Sequence, residues 1–161
     1  MKGFTVYRSS AGSGKTYTLV KTYLTLLFSI NSDYGFKQIL GITFTNKAAD
    51  EMKGRVFDAL DAIAEEGVDN SLAKEIAKEN NFDLNQIVQR AKSIFYKILH
   101  NYADFNLMTI DKFTNQVIRA FSNELGLSSS YEVILEEIDF LEQTVSDFVD
   151  QAANDLSLIH I

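Results

Sequence analysis

The chain has 161 residues, of which 46% are apolar and 23% are charged, the make-up of an ordinary globular domain with a buried core. It contains no cysteine, which excludes a disulfide framework and a thiolate metal site and suits a cytoplasmic location. Its two histidines are too few for a metal centre. No uncharged apolar run reaches the ~18 residues of a membrane span, so we expect no membrane partner.

The net charge of −7 conceals an uneven distribution along the chain. Residues 1–56 carry eight Lys and Arg against three Asp and Glu, whereas residues 57–161 carry seven against nineteen. Local fields rather than net charge steer polyanionic ligands. The first third of the chain can therefore present a positive face to phosphates.

The first predicted element is a short apolar strand at residues 4–7, which runs into SSAGSGKT at residues 9–16. Glycines lack a Cβ, so backbone N–H groups can approach phosphate oxygens at a helix N-terminus. Lys15 adds a mobile charge for the phosphates, and the Thr16 hydroxyl offers an oxygen ligand for Mg²⁺. We predict an ATP and Mg²⁺ site in which Lys15 and Thr16 are catalytic and Thr16 holds the metal. The predicted nucleotide-binding residues are Ser10, Ala11, Gly12, Ser13, Gly14, Lys15 and Thr16.

This segment departs at one position from the usual phosphate-loop pattern G-x-x-x-x-G-K-[ST]. Ser9 stands where the first glycine is expected. The alternative is a Gly- and Ser-rich turn that only links a strand to a helix, with Lys15 solvated. The predicted strand before the segment and the predicted helix after it favour the nucleotide site.

Apolar residues at helical spacing predict a core helix over residues 15–30, followed by a second buried strand over residues 38–44. Strand, loop, helix and strand would form a βαβ unit with a parallel pair. Three amphipathic helices are predicted next, over residues 46–66, 70–80 and 84–102.

A third strand is predicted over residues 106–110, leading into a helix over residues 111–125 with Gly126 as its C-cap. A serine-rich linker at residues 128–130 then precedes an acidic helix over residues 136–155. We interpret this last helix as the opening of a second, mostly helical subdomain.

Two further segments decide among the classes of nucleotide enzyme: ITFTNKAADEMKGRV at residues 42–56 and TIDKFTNQVIRAF at residues 109–121. With YRSSAGSGKTYTLV at residues 7–20, the first closely resembles the UvrD/RecB-like superfamily 1 DNA helicases, particularly the RecB and AddA branch. The second resembles the family motif often written TIHSFC. The resemblance covers most of residues 3–125.

The resemblance implies an ATP-dependent DNA helicase, or a helicase-nuclease of DNA repair, with a nuclease or helicase partner subunit. It implies the α/β class, namely a RecA-like P-loop NTPase with a parallel sheet and flanking helices. We expect an incomplete, N-terminal fragment, with the ATP-binding domain at residues 1–126 and the start of a helical insertion at residues 127–161. The family's acidic pair for Mg²⁺ and water activation is not found, so we expect the fragment alone to be inactive.

We predict a nucleic-acid contact at the end of the second predicted strand, because open α/β sheets bind ligands at the carboxyl ends of their strands. Hydroxyl, amide and ammonium groups there can hold phosphates of a single strand without reading sequence. In the family, the matching segment contacts single-stranded DNA. The predicted single-stranded DNA contacts are Thr43, Phe44, Thr45, Asn46, Lys47 and, by resemblance, Thr109.

Several side chains around these motifs have two interpretations. Phe44 is either core or a platform on which a base stacks. Ile42 is expected to be core, and Lys53 to be solvated surface. Asp111, which replaces the family's His, is expected to cap the following helix. Lys112, which replaces its Ser, would add a phosphate-attracting charge.

Two alternatives to a helicase remain open at the level of sequence. A small P-loop phosphotransferase would also use Lys15 and Thr16, but it would need an acceptor pocket and lid arginines. The arginines form no lid-like cluster in the sequence. The isolated fragment could also be a non-catalytic module that binds single-stranded DNA.

Overall fold

The structure is a computed structural model that describes residues 6–7, 14–122, 124, 126 and 137–154. The chain is mixed α/β, mostly helical, with a small parallel sheet of two strands in the described part. It divides into two compact units, Met1–Gln116 and Val117–Ile161. The described elements are α1 (Lys15–Ser29), β1 (Gly41–Thr43), α2 (Asn46–Glu66), α3 (Ser71–Asn80), α4 (Leu84–His100), β2 (Leu107–Thr109), α5 (Ile110–Ala120) and α6 (Glu137–Asn154), with 3₁₀ turns at Gly35–Gln38, Gly67–Asp69 and Tyr102–Asp104.

The helices of the first unit follow the predicted segments closely. α1 and α2 begin at the predicted residues, and α2 also ends where predicted. Side-chain caps fix three of these starts, since Thr45, Asn70 and Asp83 each accept a first-turn N–H at 2.9–3.1 Å ahead of α2, α3 and α4. Such caps satisfy N–H groups that have no partner inside the helix.

The apolar faces of the first four helices meet in one core. α2 packs against α1, α4 and β2, and α1 packs against α3. The rings of Tyr23, Phe36 and Phe57 lie edge-on around Phe105 at centroid distances of 5.8–6.5 Å. Phe105 lies two residues before β2, so this cluster fixes the strand against the helices. The largest fully buried side chains are Phe36, Phe105, Leu24, Leu27, Leu60, Ile63, Ile76, Ile94, Ile98 and Val56.

An arginine on α4 binds the C-terminal end of α1. The Arg90 guanidinium donates to the carbonyls of Phe28, Ile30 and Ser32 at 2.7–3.1 Å, and to Asp33 Oδ1 at 3.2 Å. The carbonyls at a helix C-terminus have no partner within the helix, and a cation there also suits the helix dipole. Arg90 therefore anchors the end of α1 to α4.

The sheet is parallel, as predicted, but its described strands are β1 and β2. Gly41 pairs with Leu107 and Thr43 with Thr109, so the connection between the strands runs through α2, α3 and α4. The strand predicted at residues 4–7 lies partly outside the described residues. The part that is described, Val6 and Tyr7, is exposed and is not in a strand.

β1 is shorter than the predicted strand over residues 38–44. Gln38 belongs to the 3₁₀ turn Gly35–Gln38, and strand pairing covers only Gly41–Thr43. The prediction that Ile42 is core is wrong, because its side chain is 47% exposed. Ile42 points away from the face that Gly41 and Thr43 share, and the described elements leave its own face half open.

The C-terminal part of the chain agrees less closely with the prediction. α5 ends at Ala120, five residues before the predicted end, so Gly126 is not its C-cap even though its φ is +67°. The linker predicted at residues 128–130 lies outside the described residues. α6 spans Glu137–Asn154, close to the predicted helix. The assignment of two domains that meet at residue 126 stays a prediction.

The described ranges, residues 6–7, 14–122, 124, 126 and 137–154, contain neither a membrane span nor a metal cluster. There, no helix combines the length and the apolar character needed to cross a membrane. Over the same ranges, no group of three or more acidic or histidine side chains is placed to hold a metal ion.

Candidate nucleotide and nucleic-acid site

α1 begins directly after Gly14, the last residue of the glycine-rich segment. Gly14 has a φ of +76°, in the left-handed region that glycine adopts without strain. Apart from its chain neighbours and the backbone of α1, no atom of the described residues lies within 4 Å of the position that a Cβ would take there. Gly14 provides no side-chain cap, and the first turn of α1 contains no acidic residue. Among the described residues, the first N–H groups of α1 therefore have no side-chain acceptor of the kind that α2, α3 and α4 have.

The predicted catalytic residues stand in this first turn. Lys15 is exposed and Thr16 is half-buried. Neither side chain is hydrogen-bonded to Thr43, Thr45 or Asn46 in the part of the chain that the structure describes, so the structure does not join the two halves of the predicted site by a direct bond. Four other predicted nucleotide-binding residues lie outside the described residues: Ser10, Ala11, Gly12 and Ser13.

The carboxyl ends of β1 and β2 bring the predicted nucleic-acid residues together. Thr43 and Thr109 are register partners, and each strand leads directly into a helix, α2 or α5. Because the strands are parallel, both helices begin at the same edge of the sheet. The Thr43 hydroxyl donates to the carbonyl of Thr45 at 3.0 Å, and the Thr45 hydroxyl oxygen accepts the N–H of Ala48 at 3.1 Å. The turn between β1 and α2 is thus held by its own side chains.

The side chains at this edge differ in exposure. Thr45, Asn46 and Lys47 are exposed, and Phe44 is 88% exposed. Of the two interpretations of Phe44, the core is therefore wrong, and its ring is free of packing in the described structure. Thr109 is only 6% exposed.

The start of α5 corrects a second prediction. The Thr109 hydroxyl oxygen accepts the N–H of Lys112 at 3.3 Å, and the helix begins at Ile110. Thr109 rather than Asp111 therefore caps α5, and Asp111 stands inside the first turn. The sequence could not distinguish the two because both residue types cap helices and the boundary differs by only one residue.

Lys53 is not the solvated residue that was predicted. Its Nζ lies 4.6 Å from the ring centroid of Tyr102 and 5.9 Å from that of Phe105, distances at which a cation is attracted to an aromatic face. Burial lowers the pKa of Lys53, the charge of Lys112 lowers it further, and Asp50 opposes both effects. Lys53 on α2 and Lys112 on α5 are therefore electrostatic neighbours. Nothing in the local sequence pattern indicated this proximity.

A second charged network, which the sequence analysis did not identify, ties α1 to α3. Lys21 Nζ lies 2.7 Å from Oε1 of both Glu75 and Glu79, and the Tyr17 hydroxyl donates to Glu75. These hydrogen bonds lower the pKa of Glu75. Burial acts to lower the pKa of Lys21, but the bonds to both carboxylates outweigh it and the pKa is raised. The helix that carries Lys15 is thus held on one side by polar contacts. The sequence signal that could have indicated this network is the four-residue spacing of Tyr17 and Lys21 on α1 and of Glu75 and Glu79 on α3.

A family model identifies the class of protein to which the chain belongs. The model of the UvrD/REP helicase N-terminal domain matches residues 2–159, and the chain belongs to this family. The family expected from the three motifs is thereby confirmed. No solved structure matches the chain significantly.

Curated relatives agree with this assignment. An ATP-dependent helicase/nuclease subunit of Lactobacillus acidophilus is 33% identical over 130 residues, which is 80% of this chain and 9% of that protein. The protein of the same name from Streptococcus suis is 24% identical over 153 residues, covering 91% and 11%. The RecBCD enzyme subunit RecB of Escherichia coli is 25% identical over 160 residues, covering 92% and 13%. The chain spans about a tenth of the length of these relatives.

Proposed function

We propose that this chain is the ATP- and single-stranded-DNA-binding part of an ATP-dependent DNA helicase with a RecA-like P-loop fold. The observation that carries the proposal is the start of α1, where a left-handed glycine without a side-chain cap is followed by Lys15 and Thr16. The family assignment supports it, as do the names of relatives that are helicase/nuclease subunits. By the same argument, we propose that the whole protein acts in DNA repair together with a partner protein. Its cytoplasmic location stays a prediction.

The start of α1 fits the phosphates of a nucleotide. Three features of the described residues suit an anion: the space beside Gly14 is open, the first N–H groups of α1 have no side-chain acceptor, and the first turn contains no acidic residue. The exposed Lys15 ammonium would hold the phosphates, and the Thr16 hydroxyl would be a metal ligand. When bound, Mg²⁺ neutralises charge on the phosphate oxygens. The N–H groups of Ser10, Ala11, Gly12 and Ser13 would complete the cradle.

The edge formed by β1 and β2 fits a single nucleic-acid strand. Asn46 and Lys47 are exposed in the first turn of α2, where they can bind backbone phosphates. The exposed Phe44 ring offers a flat face to one base. Thr43 and Thr45 hold the turn that presents these groups. Thr109 would contribute through the first turn of α5, which its hydroxyl caps.

Two titrations of the 161-residue chain test this proposal: calorimetry with Mg-ATP, and anisotropy of a labelled single-stranded oligonucleotide at several salt concentrations. Lys15→Ala removes the charge partner of the phosphates, so we expect it to abolish measurable ATP binding and to leave oligonucleotide binding largely intact. Lys47→Ala should weaken oligonucleotide binding and leave ATP binding largely intact. Each variant is thus the control for the other.

Phe44→Ala should weaken oligonucleotide binding by about 1–3 kcal/mol, or roughly 5- to 150-fold, because a stacking face is lost. Its thermal midpoint should not change, since the ring is exposed. Unchanged ATP affinity in Lys15→Ala would refute the nucleotide site. A chain that binds ATP but no oligonucleotide at any salt concentration would instead support the small phosphotransferase.

A further inference from the structure

One face of α6 carries large apolar side chains that are exposed. Leu141, Val145, Phe148 and Val149 are 57–66% exposed. They stand at positions i, i+4, i+7 and i+8 of the helix, so they share one side of it. We call these four residues the α6 stripe. Exposed apolar residues that are grouped on one face, rather than scattered singly, are typical of a surface on which another molecule packs.

The charge around the α6 stripe is of one sign. α6 contains acidic residues and no Lys or Arg, and residues 120–161 as a whole contain no Lys or Arg. The acidic residues of α6 are Glu137, Asp139, Glu142, Asp147 and Asp150. Glu142 directly follows Leu141, so it borders the stripe, and its side chain is exposed. When two helices pack along an apolar seam, the charges that border the seam decide which helix is accepted.

This charge narrows the range of molecules that can cover the α6 stripe. A second copy of α6 would bring a second set of carboxylates to the same interface, and like charges placed together oppose association. A nucleic acid or an anionic lipid surface is repelled for the same reason. A helix whose apolar face is bordered by lysine or arginine suits both features, because its apolar side chains cover the stripe and its cations meet the carboxylates.

We propose that the α6 stripe is the docking face for a basic amphipathic helix of a partner protein. The inference rests on the proposed function in one respect, namely that the whole protein acts together with a partner protein. It names the surface and the chemistry through which that partner binds. Leu141 and Phe148 supply the main apolar contacts, and the carboxylate of Glu142 selects a basic helix over an acidic one. None of the residues assigned to ATP or to the single strand takes part.

Anisotropy of a labelled synthetic peptide, titrated with the 161-residue chain, tests this docking face. The peptide has three heptads with leucine at both apolar positions and lysine at the bordering positions, and a matched peptide has glutamate in place of lysine. We expect the lysine peptide to bind and the glutamate peptide to show no measurable binding. Leu141→Gln and Phe148→Ala should each weaken binding of the lysine peptide by about 5- to 30-fold. Leu99→Gln, which changes an exposed leucine on α4, is the matched control and should leave binding unchanged.

A charge reversal separates the selection by charge from the apolar contact. Glu142→Lys should weaken binding of the lysine peptide and allow the glutamate peptide to bind. Asp58→Lys, at an exposed position on α2, changes the net charge equally and should affect neither peptide. NMR needs no variant and therefore covers the case in which one does not fold. The lysine peptide should shift the amide signals of residues 141–149 more than any others.

Several outcomes would overturn the inference. One is that both peptides bind equally or neither binds, and another is that Leu99→Gln weakens binding as much as Leu141→Gln does. If sedimentation shows a dimer of the unmodified chain that Phe148→Ala dissociates, a second copy covers the stripe instead. If the lysine peptide binds the 161-residue chain but not the longer protein of which the chain is proposed to be a part, the stripe is covered within that protein.

The test of the docking face and the test of the proposed function have separate readouts. ATP and oligonucleotide binding without any peptide binding would overturn only the docking face. Peptide binding at residues 141–149 in a chain that binds neither ATP nor oligonucleotide would overturn the proposed function and leave the docking face standing.

Discussion

Replacing Gly41 by alanine should destabilise the first unit, because β1 and β2 are packed too closely there for a Cβ. A Cβ built on Gly41 would lie 2.0 Å from Cδ2 of Leu107, its register partner. Non-bonded carbon atoms prefer separations of about 3.5–4.0 Å. Leu107 is only 3% exposed, so its side chain cannot swing into solvent.

Two opposing effects determine how much Gly41→Ala changes the free energy of unfolding. Extra atoms forced into a packed core cost about 1–3 kcal/mol. Alanine also restricts the unfolded chain, which returns about 0.4–1 kcal/mol when the backbone tolerates it, and Gly41 is not among the glycines with positive φ. We therefore expect the free energy of unfolding to fall by about 1–2 kcal/mol.

Urea denaturation measures this change, and Gly54→Ala is the matched control. Gly54 lies inside α2, where an added Cβ would meet no atom of another described element within 4 Å, so alanine should stabilise the protein by about 0.5–1 kcal/mol. Leu107→Ala removes the clashing atom, and the double variant with Gly41→Ala should be more stable than the sum of the two single effects. If Gly41→Ala stabilises the chain as Gly54→Ala does, the inference that Leu107 leaves no room for a Cβ at position 41 is refuted.

Two further predictions concern polar groups on α1 and α3. The Tyr23 hydroxyl is buried and has no hydrogen-bond partner within the described residues, so Tyr23→Phe should raise the free energy of unfolding by about 1 kcal/mol in urea denaturation. A comparable gain from Tyr17→Phe, which loses its bond to Glu75, would contradict that reasoning. Hydrogen bonds from Lys21 and Tyr17 lower the pKa of Glu75 below 4.5, so they stabilise the fold above that pH and are lost as the pH falls through the lowered value. Glu75→Gln should therefore be slightly less stable than the unmodified chain at about pH 7, and the difference should shrink as the pH falls below 4.5, as measured by urea denaturation, with a small effect because Glu75 is partly exposed.

The helices could be predicted from sequence because their signals are local. Apolar spacing sets the face of each helix, and residues such as Thr45 and Asn70 mark the starts of α2 and α3. The strands were predicted too long because the length of a strand depends on its partner. β1 is bounded by its pairing with Leu107–Thr109, and no pattern within residues 38–44 records where that pairing stops.

The candidate site could be predicted in part for the same reason. The segment from Thr43 to Lys47 was correctly expected at a strand-to-helix junction, since one continuous segment contains both the strand and the helix start. The place of Lys53 beside Lys112 could not be predicted, because it depends on how α2 packs against β2 and on where Tyr102 falls. Contacts between residues distant in the chain leave no local periodicity.

The anchoring of α1 by Arg90 limits how that helix can respond to a ligand. The Arg90 guanidinium donates hydrogen bonds to three carbonyls and a carboxylate in the last turn of α1 and the loop after it. The first turn of α1, by contrast, follows Gly14, which no described side chain caps. A sliding motion along the helix axis would break all four bonds at once. The bonds from Tyr17 and Lys21 to Glu75 hold the earlier part of α1 against α3 as well, so a ligand that binds at Lys15 meets a helix already held by both α3 and α4.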